Sequence, residues 1–68
     1  MQFDEAVKYV RTKTGYSQEQ LARMLNVSFA TINRWENGKT VPRPIAVDAF
    51  LVFCKKNDIH IVITKERK

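Results

Sequence analysis

A chain of 68 residues with 44% apolar side chains and a net charge of +5 makes one small domain. Its single cysteine, Cys54, excludes an internal disulfide and cannot build a metal site by itself, which suits a reducing cytoplasm. No apolar run approaches a membrane span and MQFDEAVK lacks a basic leader, so neither a membrane segment nor a signal peptide is expected and the expected location is cytoplasmic.

Phe3, Ala6, Val7 and Val10 recur at helical spacing and predict an amphipathic helix from Phe3 to about Thr12. Asp4 and Glu5 fall in its first turn and Arg11 and Lys13 at its end, the order that the helix dipole favours. Thr14-Gly15 then breaks it. From Ser17 to Asn37 the chain reads as two short helices joined by a turn of about three to four residues. Ser17 can cap the first, with Gln20 three residues on reaching back to it, and Tyr16 and Leu21 stand at the positions of a hydrophobic staple. Ser28 repeats the signal for the second, between Val27 and Ile32. Asn26 sits at the turn, where a left-handed conformation comes at low cost, and Gly38 suits the end of the second helix.

Leu21 and Leu25 on the first of these helices, Ile32 and Trp35 on the second, and Val27 at the corner form the inward set, with Ala22 small where the helices cross. The outward remainder of the second helix is Ser28, Phe29, Ala30, Asn33, Arg34 and Asn37. A face selected for solubility alone would be rich in Glu and Lys; this one mixes hydrogen-bonding groups, small apolar groups and one guanidinium, as a contact surface does.

Within SQEQLA, the turn LNVS and the closing ENGKTVP, the residues Gln18, Leu21, Ala22, Leu25, Val27, Ile32, Trp35, Glu36, Asn37 and Gly38 resemble the helix-turn-helix of the Cro and phage-repressor family, the xenobiotic-response-element class of bacterial regulators. The resemblance covers residues 3 to 56. Asn26 departs from the glycine commonest at the turn, and Phe29 stands where the family carries Gln or other polar groups, so no base preference transfers. The resemblance implies a mainly α, four-helix, repressor-like DNA-binding domain. It also implies that Arg11 pairs with Glu36 as a brace, and that Gln18 grips a phosphate.

Lys39 to Pro44 reads as a loop because of its two prolines, with Pro44 opening a fourth helix that runs to about Lys56. Ile45, Ala49, Phe50 and Phe53 are its expected inward stripe. Val47, Leu51, Val52 and Cys54 would make the other side apolar too, a side for a second subunit to cover. Asn57-Asp58 ends the helix. In Ile59 to Thr64 the isoleucines alternate as in a β-strand, with His60 a structural residue inside it. A lone strand leaves its backbone groups unpaired, and the alternatives are pairing with the same strand of a second copy, folding back onto the first helix, or belonging to a longer chain of which this is a part. The C-terminal strand that the Cro branch uses in dimer formation favours the first. The expected division is thus 1–58 for the helix-turn-helix domain and 59–68 for a dimerising strand and basic tail.

The charge excess is concentrated. Residues 21–43 carry Arg23, Arg34, Lys39 and Arg43 against Glu36 alone, a local balance of +3, whereas residues 1–20 balance to zero. Such a patch suits a polyanion, with ordinary solubility as the competing explanation. No catalytic constellation or phosphate-cradling glycine loop is present, so no enzyme activity, cofactor or metal is expected. If the second helix of the pair enters a major groove, Arg34 can bond guanine, Asn33 adenine, and Phe29 or Ala30 a thymine methyl. Gln18, Ser28, Thr31, Asn37, Lys39, Thr40 and Arg43 then serve the backbone or the groove edge. The expected function is sequence-specific binding of double-stranded DNA by a homodimeric regulator, a repressor by family resemblance. Two other readings stay open: an antitoxin that binds its own promoter and a toxin, and a protein-interaction module that binds no DNA.

Overall fold

In the computed structural model, which describes residues 1–38 and 41–64, four helices form in the order α1 (Phe3–Thr14), α2 (Gln18–Leu25), α3 (Phe29–Asn37) and α4 (Pro44–Lys56). Their boundaries follow from side-chain chemistry. Ser17 Oγ accepts the Gln20 N–H at 3.1 Å while Gln20 Oε1 accepts the Ser17 N–H at 2.9 Å, a reciprocal cap that satisfies two donors at once. Ser28 Oγ accepts the Thr31 N–H at 3.1 Å to open α3. Pro44 occupies the start of α4, where its missing N–H is no loss.

The helix ends are as specific. Gly15 closes α1 at φ 80°, its N–H on the Arg11 carbonyl at 2.8 Å. At the end of α2, Asn26 adopts φ 59°, and the Val27 and Asn26 N–H groups reach the Ala22 and Arg23 carbonyls at 2.9 and 3.2 Å. This paired closure reverses the chain within three residues and aims α3 away from α2. α4 ends in the same way, with Asp58 at φ 58° and Ile59 N–H on the Cys54 carbonyl at 2.8 Å.

α1 and α2 both pack on α3, and α2 also touches α4. The core between them holds Phe3, Ala6, Val7, Val10, Leu21, Ala22, Ile32, Trp35, Phe50, Phe53, Cys54 and Ile59, with Leu25 and Val27 half-buried against it. Each large aliphatic side chain removed from water here contributes about 1.5–3 kcal/mol. Phe3 anchors the aromatic part, edge-on to Trp35 at 5.0 Å and to Phe50 at 5.3 Å between ring centroids. The expected inward faces of the first three helices are thus the observed ones.

Three expectations are corrected. The inward stripe of α4 comprises Ala46, Val47, Phe50, Phe53 and Cys54, while Ile45 is 76% exposed and Ala49 faces solvent. The helix is turned by roughly 70° from the expected stripe, at 100° per residue. Its charged residues Asp48, Lys55 and Lys56 lie opposite Phe50, and keeping them in water sets the phase. Among the described residues no strand forms. Instead, Ile59, Ile61 and Ile63 turn onto the core while His60, Val62 and Thr64 face out. The backbone finds its partners at the other end of the chain: the Met1 amino group donates to the Val62 carbonyl at 2.9 Å, and Thr64 N–H donates to the Met1 carbonyl at 2.8 Å. Two such bonds tie the segment to one residue and do not extend into a ladder. His60 is exposed, with Asp58 Oδ1 3.1 Å from its Nε2, and is no part of the core.

Beside this segment, a cleft of about 430 Å³ is lined by Phe3, Trp35, Pro42, Val47, Leu51 and Ile63, among others. Among the described residues no helix is long and apolar enough to cross a membrane.

Gly38, at φ 67°, lies so near α1 that a Cβ there would meet Asp4 Oδ2 at 2.8 Å, whereas a Cβ on Gly15 would meet nothing within 4 Å. Gly15→Ala is therefore expected to cost only the left-handed backbone, about 1 kcal/mol, and Gly38→Ala about twice that. Thermal unfolding followed by circular dichroism checks the order; equal Tm losses would show that the Asp4 approach carries no weight.

Candidate nucleic-acid interface

α3 is held by one edge. Ile32 and Trp35 are buried in the core and Glu36 is buried beside them. Ser28, Phe29, Ala30, Arg34 and Asn37 are exposed, and Thr31 and Asn33 are half-buried at the margins. At 100° per residue, positions 29, 30, 33, 34 and 37 fall within an arc of about 140°. Of that arc Phe29, Ala30, Arg34 and Asn37 are exposed and Asn33 reaches Gln18 of α2, so a groove-sized object can reach most of the outward face of α3.

What fixes that face is a polar network beneath it. The Arg11 guanidinium grips Glu36 with two hydrogen bonds, Nε to Oε2 at 2.5 Å and Nη2 to Oε1 at 3.0 Å. Its Nη1 also donates to the Tyr16 carbonyl at 3.4 Å. Gln18 Nε2, on the first turn of α2, donates to Glu36 Oε1 at 2.9 Å. Its Oε1 accepts from Asn33 Nδ2 at 3.4 Å, and Asn33 Oδ1 accepts from Asn37 Nδ2 at 2.9 Å. One carboxylate thus ties α1, α2 and α3 together, and the chain of amides carries the order out to the surface. The pairing of Arg11 with Glu36 is the brace that the family resemblance implies.

Burial by itself would raise the Glu36 carboxyl; the hydrogen bonds from Arg11 and Gln18 and the charges of Arg11 and Lys8 outweigh it, holding the group below the usual glutamate range. The Arg11 guanidinium is pushed up, chiefly by its hydrogen bond to Glu36. There is an electrostatic consequence at the surface. Glu36 is the one acid in residues 21–43, and it is buried and neutralised by Arg11. Arg23, Arg34 and Arg43, all exposed, keep their charge for the outside.

Each candidate residue can be placed. Gln18 is half-buried and committed at both ends to the network, with one Nε2 hydrogen left for an outside acceptor. Asn33 likewise keeps one amide hydrogen and one lone pair. The Ser28 and Thr31 hydroxyls lie 2.9 Å apart and bond each other. Phe29 is 52% exposed, and Ala30, Arg34, Asn37 and Arg43 are exposed. Lys39 and Thr40 lie outside the described residues. Sequence reasoning placed neither the Tyr16 carbonyl nor the amide chain in the site. A Gln and an Asn separated by fifteen positions carry no pairing signal until the helices cross. Burial pushes the Cys54 thiol up, away from this face.

The helix-turn-helix family model matches residues 7–56, most of the chain. The protein belongs to that family, in its Cro/C1-type branch. It is similar to the HTH-type transcriptional activator BcrR of Enterococcus faecalis, with 45% identity over 42 residues. That match takes in 62% of this chain and 21% of the relative, so the chain spans about a fifth of that protein's length. No solved structure matches it. Family and relative together support a role in DNA-binding regulation of transcription.

Glu36→Gln is expected to remove about 2 kcal/mol, since it leaves hydrogen bonds to a charged partner unmade. For a domain of this size that lowers Tm by roughly 8–16 °C. A carboxyl lowered on folding stabilises the fold at pH above its unfolded value, about 4.3, and the contribution drains away as pH falls through the folded value. Acid titration of stability should therefore be steeper below that pH for the natural chain than for the variant; parallel curves would discount the brace.

Proposed function

We propose that the chain binds double-stranded DNA sequence-specifically by inserting α3 into the major groove, and that it regulates transcription as a homodimer. The observation that carries this reading is the outward face of α3, largely exposed and held in register by the network under it. Arg34 is placed to donate two hydrogen bonds to guanine, and Asn33 to pair with adenine through its remaining hydrogen and lone pair. Gln18, Ser28, Thr31, Asn37 and Arg43 hold phosphates or the groove edge, and from the sequence Lys39 and Thr40 join them. Occupying an operator excludes polymerase, so repression is the proposed sense. The Enterococcus relative is named as an activator, and a promoter–reporter fusion with and without the protein tells the two apart.

The dimer reading rests on apolar exposure on α4 and residues 59–64. Ile45 and Val52 of α4 and Val62 of residues 59–64 are 76, 53 and 81% exposed. A second copy would cover them, and its twofold symmetry would match a palindromic operator. Val62 and Ile45 are the residues with which to test it, because Ile61 packs on its own core. Val62→Lys and Ile45→Lys should leave the helical signal intact and shift sedimentation to the monomer. A dimer that survives both places the interface elsewhere.

Affinity for a duplex selected from a random pool should fall with added salt, log K against log salt having a slope near −0.9 per phosphate contacted. A flat response would favour a protein partner for the same face. Arg34→Ala should cost about 1–3 kcal/mol against the selected duplex and relax its sequence preference. Arg43→Ala should weaken selected and unrelated duplexes alike; the same profile for both variants would refute the division of roles.

A further inference from the structure

We infer that the first turn of α3 reads the C5 methyl group of a pyrimidine, and that it accepts thymine and 5-methylcytosine alike. This rests on α3 being the groove-entering helix. Three of the four phenylalanines, Phe3, Phe50 and Phe53, are buried, whereas Phe29 is 52% exposed at the first position of α3. Ala30 is exposed beside it. In water such a pair gains nothing, and at the leading end of a helix in the major groove it meets base edges.

What those edges offer is limited. Thymine presents an O4 acceptor and a C5 methyl, and cytosine presents an N4 donor with no methyl. Telling O4 from N4 requires a side-chain atom with a fixed role as donor or acceptor. Phe29 and Ala30 have no polar side-chain atom. The first turn has no acidic residue to accept from the cytosine amino group. Ser28 Oγ already accepts the Thr31 N–H and shares a hydrogen bond with the Thr31 hydroxyl. Whatever capacity remains belongs to hydroxyls, which donate or accept as required and so do not discriminate. Asn33 and Arg34, the groups with fixed donors, stand a turn farther along. At the pyrimidine facing Phe29 the feature left to read is the methyl itself, through contact with an aromatic ring. Cytosine methylation in the operator would then strengthen binding by the same contact that recognises thymine.

The test uses the full chain and a duplex it selects from a random pool. Each thymine is replaced in turn by deoxyuridine, which removes only the methyl, and affinity is measured by competition. One thymine in each half-site should become about three- to tenfold weaker, in line with burying a methyl group. With a G·C pair placed at that position, 5-methylcytosine should bind tighter than cytosine by a similar factor. The Phe29→Ser variant, its fold checked by circular dichroism, should bind more weakly and no longer distinguish thymine from deoxyuridine. Indifference of the natural chain to every deoxyuridine, equal binding of methylated and plain cytosine, or undiminished methyl sensitivity in Phe29→Ser would each overturn the inference while leaving DNA binding intact. Failure to select any duplex would overturn the functional reading beneath it.

Discussion

The Glu36 carboxylate, gripped at both oxygens by the Arg11 guanidinium, is the constraint on which the arrangement depends. A carboxylate with 6% of its side chain exposed would cost several kcal/mol if left alone. Arg11 from α1 and Gln18 from α2 reach it, and in doing so set where α3 lies. The hydrogen bonds that satisfy it are therefore also the ones that position the helix with the bare face. The pair matters less for net stability than for geometry, since a well-packed apolar replacement can match a buried ion pair in energy but cannot orient an amide.

That orientation runs outward. Gln18 is held by Glu36, Asn33 by Gln18 and Asn37 by Asn33, so three polar side chains at the surface of α2 and α3 are ordered before any ligand arrives. Preordering reduces the entropy lost on binding, which for long polar side chains is about 0.5–1.5 kcal/mol each. It also divides the face. Asn33 and Asn37, farther along the helix, are braced by the network, whereas Phe29 and Ala30 in its first turn have no polar side-chain atom to brace.

α4 and the residues that follow it have another logic. α4 carries apolar side chains beyond its buried stripe, Ile45 and Val52 being exposed. Residues 59–64 lay Ile59, Ile61 and Ile63 on the core and bond to Met1. Val62 and Ile45 stay exposed.

Much was legible in the residues alone, because it is local. Ser17 with Gln20, the cap at Ser28, Asn26 in its left-handed turn, and the breaks at Gly15 and Gly38 are decided within a few positions, and a helix-turn-helix is mostly such punctuation. The inward stripes of α1 to α3 were equally plain, since polar residues flank them and leave a single phase. Where the stripe lost its flanks, as in α4, periodicity could not say which way the helix turns; only packing against α2 and the returning tail, with Asp48, Lys55 and Lys56 kept in water, chose Phe50 and Cys54 over Ile45 and Ala49. The alternating isoleucines likewise specify an extended chain but not its partner, because backbone groups pair with whatever lies beside them, and here that is Met1. The link from Gln18 to Asn33 had no sequence signal at all, for it exists only once two helices cross.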